Sequence, residues 1–204
     1  MNKYRIYLFM LLMLLTGITS KAQKKALIIV DIQTAYFPGG SSPLVKPEEA
    51  AAQAKKVLAL FREKNWPIVH VQHNSRAPGM QIYDGDDSGI LVYSAVYPEN
   101  GETVITKAYP SSFLKTDLDS LLKSRDVKQL VICGMMTHMC VDATVRAAKD
   151  LGYNITLIGN ACATKDLKIN DEVISSENVH KSFLAALASY YVNVETADEF
   201  IEQQ

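Results

Sequence analysis

Ala26-Leu27-Ile28-Ile29-Val30-Asp31 is the stretch from which the fold follows. Five apolar residues in succession, with no polar alternation, read as a strand buried on both faces, the habit of a parallel sheet covered by helices on either side. Downstream, Pro47 opens a predicted helix to about Lys64, with Ala50, Ala54, Val57, Leu58 and Phe61 at helical spacing. Further strands are predicted at Ile68–Val71, Thr103–Thr106, Gln129–Cys133 and Ile155–Ile158, with a short edge strand at Val192–Val194. Thr116 is expected to cap a helix through Leu118, Leu121 and Leu122. Val141, Val145, Ala148 and Leu151 mark another helix, closed by Gly152. Val179, Phe183, Leu184, Leu187 and Tyr190 mark a last long helix. The alternation predicts a single α/β domain: a mostly parallel six-stranded, Rossmann-like sheet with helices on both faces. Asn74 to Glu102 interrupts it with a long, turn-rich stretch, which in a small domain points to function.

The composition agrees. At 204 residues and 48% hydrophobic side chains, the chain is long and apolar enough to bury a core without a metal or disulfide staple. The net charge is −1 and basic residues are scattered, so nucleic acid is not an expected partner. No internal repeat or linker divides the chain.

The first two dozen residues read differently. Lys3 and Arg5 precede the apolar run Ile6–Leu15, and small residues stand at Ser20 and Ala22. That three-part pattern predicts a secretory signal peptide, residues 1–22, cleaved after Ala22, and a single mature domain over 23–204. The apolar run is too short to span a bilayer. Cleavage leaves 18 basic and 22 acidic side chains, a charge of −4. The expected location is secreted or periplasmic, with no membrane attachment after cleavage. Three cysteines, Cys133, Cys140 and Cys162, are an odd number without metal-ligand spacing. Cys133 and Cys162 lie at or beyond the ends of apolar runs and are expected to be buried free thiols.

In open parallel sheets, ligands bind beyond the carboxyl ends of the strands. Three reactive side chains fall there: Asp31 after the first strand, Lys107 after the third, and Cys140 a short turn after the fourth, opening the next helix. A thiol at a helix N-terminus beside an ammonium is expected to have its pKa lowered below about 8.5. A nearby carboxylate can take the thiol proton and later return it. Neither a dinucleotide fingerprint nor a phosphate-binding loop is present, so no nucleotide cofactor is expected. Tyr36, Phe37 and Phe113 flank these positions and either wall a pocket or pack beneath the loop.

The segment from Leu130 to Ala148, Leu-Val-Ile-Cys-Gly-Met-Met-Thr-His-Met-Cys-Val-Asp-Ala-Thr-Val-Arg-Ala-Ala, resembles the nucleophile motif of the isochorismatase-like cysteine hydrolases. Ala26–Gln33 resembles their first strand and Lys107–Phe113 their lysine segment. The resemblance implies a catalytic triad of Asp31, Lys107 and Cys140. It also implies a cis peptide between Met135 and Met136, and an oxyanion hole from the backbone N–H groups of Met136 and Cys140. The implied chemistry is hydrolysis of a small amide through a thioester, and the implied assembly is a homo-oligomer. Nicotinamidases of this superfamily hold a metal through an Asp-x-His motif; Asn65–His70 lacks it, so no metal is expected and nicotinamide is disfavoured. His70 alternates within an apolar strand and reads as a packed residue, whereas His73 points toward the pocket as a candidate substrate-binding residue. Two alternatives stand beside the amidase: vinyl-ether hydrolysis of isochorismate, against which Cys140 argues, and a non-catalytic binder of the same fold.

Overall fold

Alternate residues of the first strand serve different cores. Leu27 and Ile29 pack on one side of the sheet, and Ala26, Ile28 and Val30 on the other, all fully buried. The computed structural model describes residues 24–74 and 87–204; the proposed leader, residues 1–22, and Gln23 lie outside the described residues. The sheet is built from β1 (Lys24–Val30), β2 (Ile68–His73), β3 (Thr103–Lys107), β4 (Val127–Met135), β5 (Asn154–Ala163) and β8 (Asn193–Glu195). Its order is β3-β2-β1-β4-β5-β8, and every neighbouring pair is parallel. The strand order therefore reverses between β1 and β4, which is where a doubly wound sheet opens a crevice at its carboxyl end.

Helix α1 (Pro47–Glu63) and α5 (Ala197–Glu202) cover one face through Ala54, Val57, Phe61 and Phe200. The other face is covered by α2 (Leu118–Ser124), α3 (Asp142–Asp150) and α4 (Ser176–Ala188), through Leu122, Val145, Ala148 and Leu187. Helix α1 starts at Pro47, as expected, with Glu48 and Glu49 in its first turn against the positive end of the helix dipole. Gly152 follows α3 at positive φ, as its sequence position predicts.

The structure corrects several expectations. Asp117, not Thr116, is the residue before α2; the Thr116 hydroxyl donates to Ser112 O at 2.5 Å and accepts a long 3.4 Å bond from Leu118 N. Helix α4 stops at Ala188, because the N–H groups of Tyr191 and Val192 both turn back to Leu187 O; Tyr190 lies outside it, 72% exposed. Strand β4 runs through Gly134 to Met135 rather than turning at Gly134. Gly134 has φ +137, and a Cβ there would lie 1.9 Å from Val30 O, so only glycine permits β1 and β4 to approach so closely. Strand β5 is more than twice the predicted length. Its register slips between the pairs Ile132–Leu157 and Gly134–Cys162, and Gly159 and Asn160, residue types common in turns, sit inside it. Two elements have no counterpart in the sequence reading: α5, and a hairpin of β6 (Leu167–Ile169) and β7 (Glu172–Ile174). The hairpin turns on Asn170 and Asp171, both at positive φ.

Candidate active site

The three strand-end residues meet. Asp31 follows β1 directly, at φ 49, with its N–H bonded to Val71 O at 3.0 Å and its side chain fully buried. Lys107 ends β3, two strands away from β1, so its side chain crosses above His73, its register partner on β2. The ammonium lies 2.7 Å from Asp31 Oδ2, 3.2 Å from Cys140 Sγ, 3.2 Å from His73 Nδ1 and 3.0 Å from Tyr109 O. All three triad candidates are buried.

Cys140 sits one turn deeper than expected. It belongs to a π-helical turn, Thr137–Val141, and α3 proper opens at Asp142. Such turns are rare and concentrate at functional sites. The Met135–Met136 peptide is cis, as the resemblance implies.

The electrostatics overturn one expectation. Burial pushes the Cys140 thiol up rather than down, the Asp31 charge adds to that, and the Lys107 ammonium only partly offsets both. Burial likewise raises the Asp31 carboxyl, against the pull of Lys107. The resting pair is therefore a thiol facing a carboxylate of raised basicity, an arrangement in which proton transfer to the carboxylate can generate a thiolate. Burial also lifts the Cys133 thiol well above its usual value and that of Cys162 to about 12; all three cysteines are free, as anticipated.

A cation-binding possibility exists on paper. Ligand atoms of Asp31, His73 and Cys140 lie within 4.8 Å of one another. The Lys107 ammonium, however, is 2.7–3.2 Å from an atom of each, so a metal ion would have to displace it. These residues do not fit a resident metal while Lys107 is in place. His70 takes no part: it is buried on the α1 side, its Nε2 2.8 Å from Glu102 Oε2.

The family model of the isochorismatase domain matches residues 25–199. The chain belongs to the isochorismatase family. It is 43% identical over 177 residues to the isochorismatase family protein YddQ of Bacillus subtilis, covering 87% of this chain and 98% of that one. It is 34% identical to a streptothricin hydrolase of Streptomyces noursei, over 70% of this chain and 51% of that protein. It is 31% identical to the ureidoacrylate amidohydrolase RutB of an Enterobacter species, over 67% and 74%. Among solved structures, an isochorismatase hydrolase from Oleispira antarctica superposes with a TM-score of 0.83 at 40% identity, covering 90% and 98%. A cysteine hydrolase from Pseudomonas syringae gives 0.82 at 25%, covering 88% and 91%. The protein is an isochorismatase-like hydrolase.

The remaining candidates divide. The Tyr36 phenol is buried close enough to the triad that, after burial itself, the Asp31 and Cys140 charges hold its pKa well up. His73 is in the site through Lys107. Phe37 stacks on Tyr93 with ring centroids 3.5 Å apart, pinning the later part of the long connection between β2 and β3. Phe113 stacks on Tyr153 at 6.0 Å and packs with the core on the α2–α3 face, the cluster that also holds Cys140.

Sequence reasoning missed Gln33. Its buried amide accepts from His73 N at 2.8 Å and donates to His73 O at 3.0 Å and Ile90 O at 2.7 Å. It thus locks the end of β2 to the loop beyond residue 86. Its position two residues after Asp31, at a strand end, was the available clue. Thr137, His138 and His180 were also missed, because their partners are far apart in sequence.

Proposed function

We propose that this family member is an exported, metal-independent cysteine amidohydrolase acting on a small amide. The observation that carries it is one ammonium, Lys107 Nζ, touching both Asp31 Oδ2 and Cys140 Sγ. Asp31 takes the thiol proton as Sγ attacks the amide carbonyl, and Lys107 stabilises the thiolate as it forms. The N–H groups of Met136 and Cys140 receive the oxyanion. Asp31 returns the proton to the departing nitrogen, then draws a proton from water as it cleaves the thioester. The relatives whose names specify streptothricin and ureidoacrylate as substrates support an amide or ureido group as target. The leader-like residues 1–22 support export.

Purified protein lacking residues 1–22 is expected to release ammonia or amine from at least one compound in a panel of small amides that includes ureidoacrylate and streptothricin. Cys140→Ser is expected to fold and to lose nearly all of that turnover. Wild-type turnover in Cys140→Ser would replace the thiol mechanism by direct hydrolysis using Asp31. Turnover of isochorismate alone would instead favour the vinyl-ether reading.

A further inference from the structure

We propose that Thr137 and His180 are positioning residues for the oxyanion hole, a role that rests on the acyl-transfer reading above. Of Met136 and Cys140, whose N–H groups that reading assigns to the oxyanion, the first immediately precedes the π-helical turn and the second lies within it. The wide ring of such a turn departs from regular helix geometry, so its shape depends on ties from outside. Thr137 supplies them. Its hydroxyl is buried between two partners, Ala163 O at 3.2 Å and His180 Nδ1 at 2.9 Å. A hydroxyl has one proton. With that proton given to Ala163 O, the Thr137 oxygen accepts from His180, which must carry its hydrogen on Nδ1.

The chain of two hydrogen bonds joins three elements: α4 through His180, the nucleophile turn through Thr137, and the carboxyl end of β5 through Ala163. Ala163 is also the sheet partner of Met135, so the tie reaches the residue before the oxyanion donor from the side. The next residue repeats the arrangement, with His138 Nδ1 2.5 Å from Thr164 Oγ1. Consecutive residues of the turn thus clasp Ala163, the last residue of β5, and Thr164, the residue after it. Oxyanion donors act only when aimed at where the charge develops, and a shift of about 1 Å costs on the order of 100-fold.

The test separates the oxyanion hole from the nucleophile. When Cys140 reacts with p-nitrophenyl acetate, the S–C bond forms, the carbonyl electrons move onto oxygen, and collapse expels p-nitrophenolate while Asp31 holds the thiol proton. When it reacts with iodoacetamide, sulfur displaces iodide and no oxyanion forms. Thr137→Val is expected to slow the p-nitrophenolate burst by about 10–100-fold while alkylation stays within about two-fold of wild type. Thr137→Ser, which keeps the hydroxyl, should restore the burst. His180→Ala should repeat the selective loss, and His180→Asn, whose amide N–H can stand near the position of Nδ1, should recover most of it. An unchanged burst in Thr137→Val or His180→Ala, or equal loss of both reactions, overturns the positioning role. Should Thr137→Val fail to fold, the His180 pair decides. A wild-type burst that is absent, or that survives Cys140→Ala, instead overturns the acyl-transfer reading and this role with it.

Discussion

Cys140 carries a charge history opposite to the one its neighbours in sequence suggest. A helix start and a lysine argue for a thiolate, yet depth and the facing Asp31 carboxylate keep the proton on sulfur. Alkylation by iodoacetamide should therefore rise with pH through 9, with no plateau below the unperturbed value of about 8.5; a plateau near 7 would restore the resting thiolate. Asp31→Asn removes the charge that opposes the thiolate, so alkylation at fixed pH should speed up several-fold while amide turnover falls by about 100-fold or more. Lys107→Ala should slow both. The identities of Asp31, Lys107 and Cys140 were legible because each reactive type stands at a strand end. Their protonation was not, since burial and the approach of a carboxylate belong to the tertiary structure. Phe113 makes the same point: an aromatic a few residues after Lys107 has two available neighbourhoods, and its stacking on Tyr153 belongs to the tertiary structure.

Elements with strong periodicity were read well, and those that depend on remote partners were not. Helix α1 announces itself through Pro47 and its apolar stripe. The second half of β5 does not, because Gly159 is required by neighbours rather than by a turn; a Cβ there would press on Leu184 and Val194 at 3.1 Å. Glu102, just before β3, illustrates a tie between elements that periodicity cannot reveal. It bonds Arg62 of α1 through both oxygens, accepts from Glu99 N, and meets His70 of β2. Burial opposes its ionisation, but these partners outweigh it and hold its pKa down from 4.5 to about 2. A carboxyl with a depressed folded-state pKa stabilises above its unfolded value and loses that contribution as pH falls toward the folded one. Glu102→Gln should therefore cost about 1–2 kcal/mol near neutrality. The gap from wild type should close between pH 4.5 and about 2 in chemical denaturation. A gap independent of pH would mean that the lost contacts are steric.

At the scale of the whole molecule, strand order gathers the site: β1 and β4 lie side by side, and β3 reaches in from the edge through one long side chain. The sequence predicted parallel strands between helices, but not which strands become neighbours, since apolar runs carry no address. The proposed leader is also a property of the entire chain. Protein recovered from the export compartment of its native host should begin at Gln23 by intact mass, and full-length chain in the membrane fraction would mean an uncleaved anchor. The central place of β1 has a further consequence, in time rather than space. Among the described strands it is the first to be synthesised, yet one of its two partners, β4, is complete only at Met135, about 100 residues later. At ~5–20 residues per second that is a wait of roughly 5–20 s. During it, the run from Ala26 to Val30 has an open, apolar edge, the feature that native sheets take most care to cover. The strand that leads into Asp31 is thus also, among the described strands, the one that the growing chain leaves longest without its second partner.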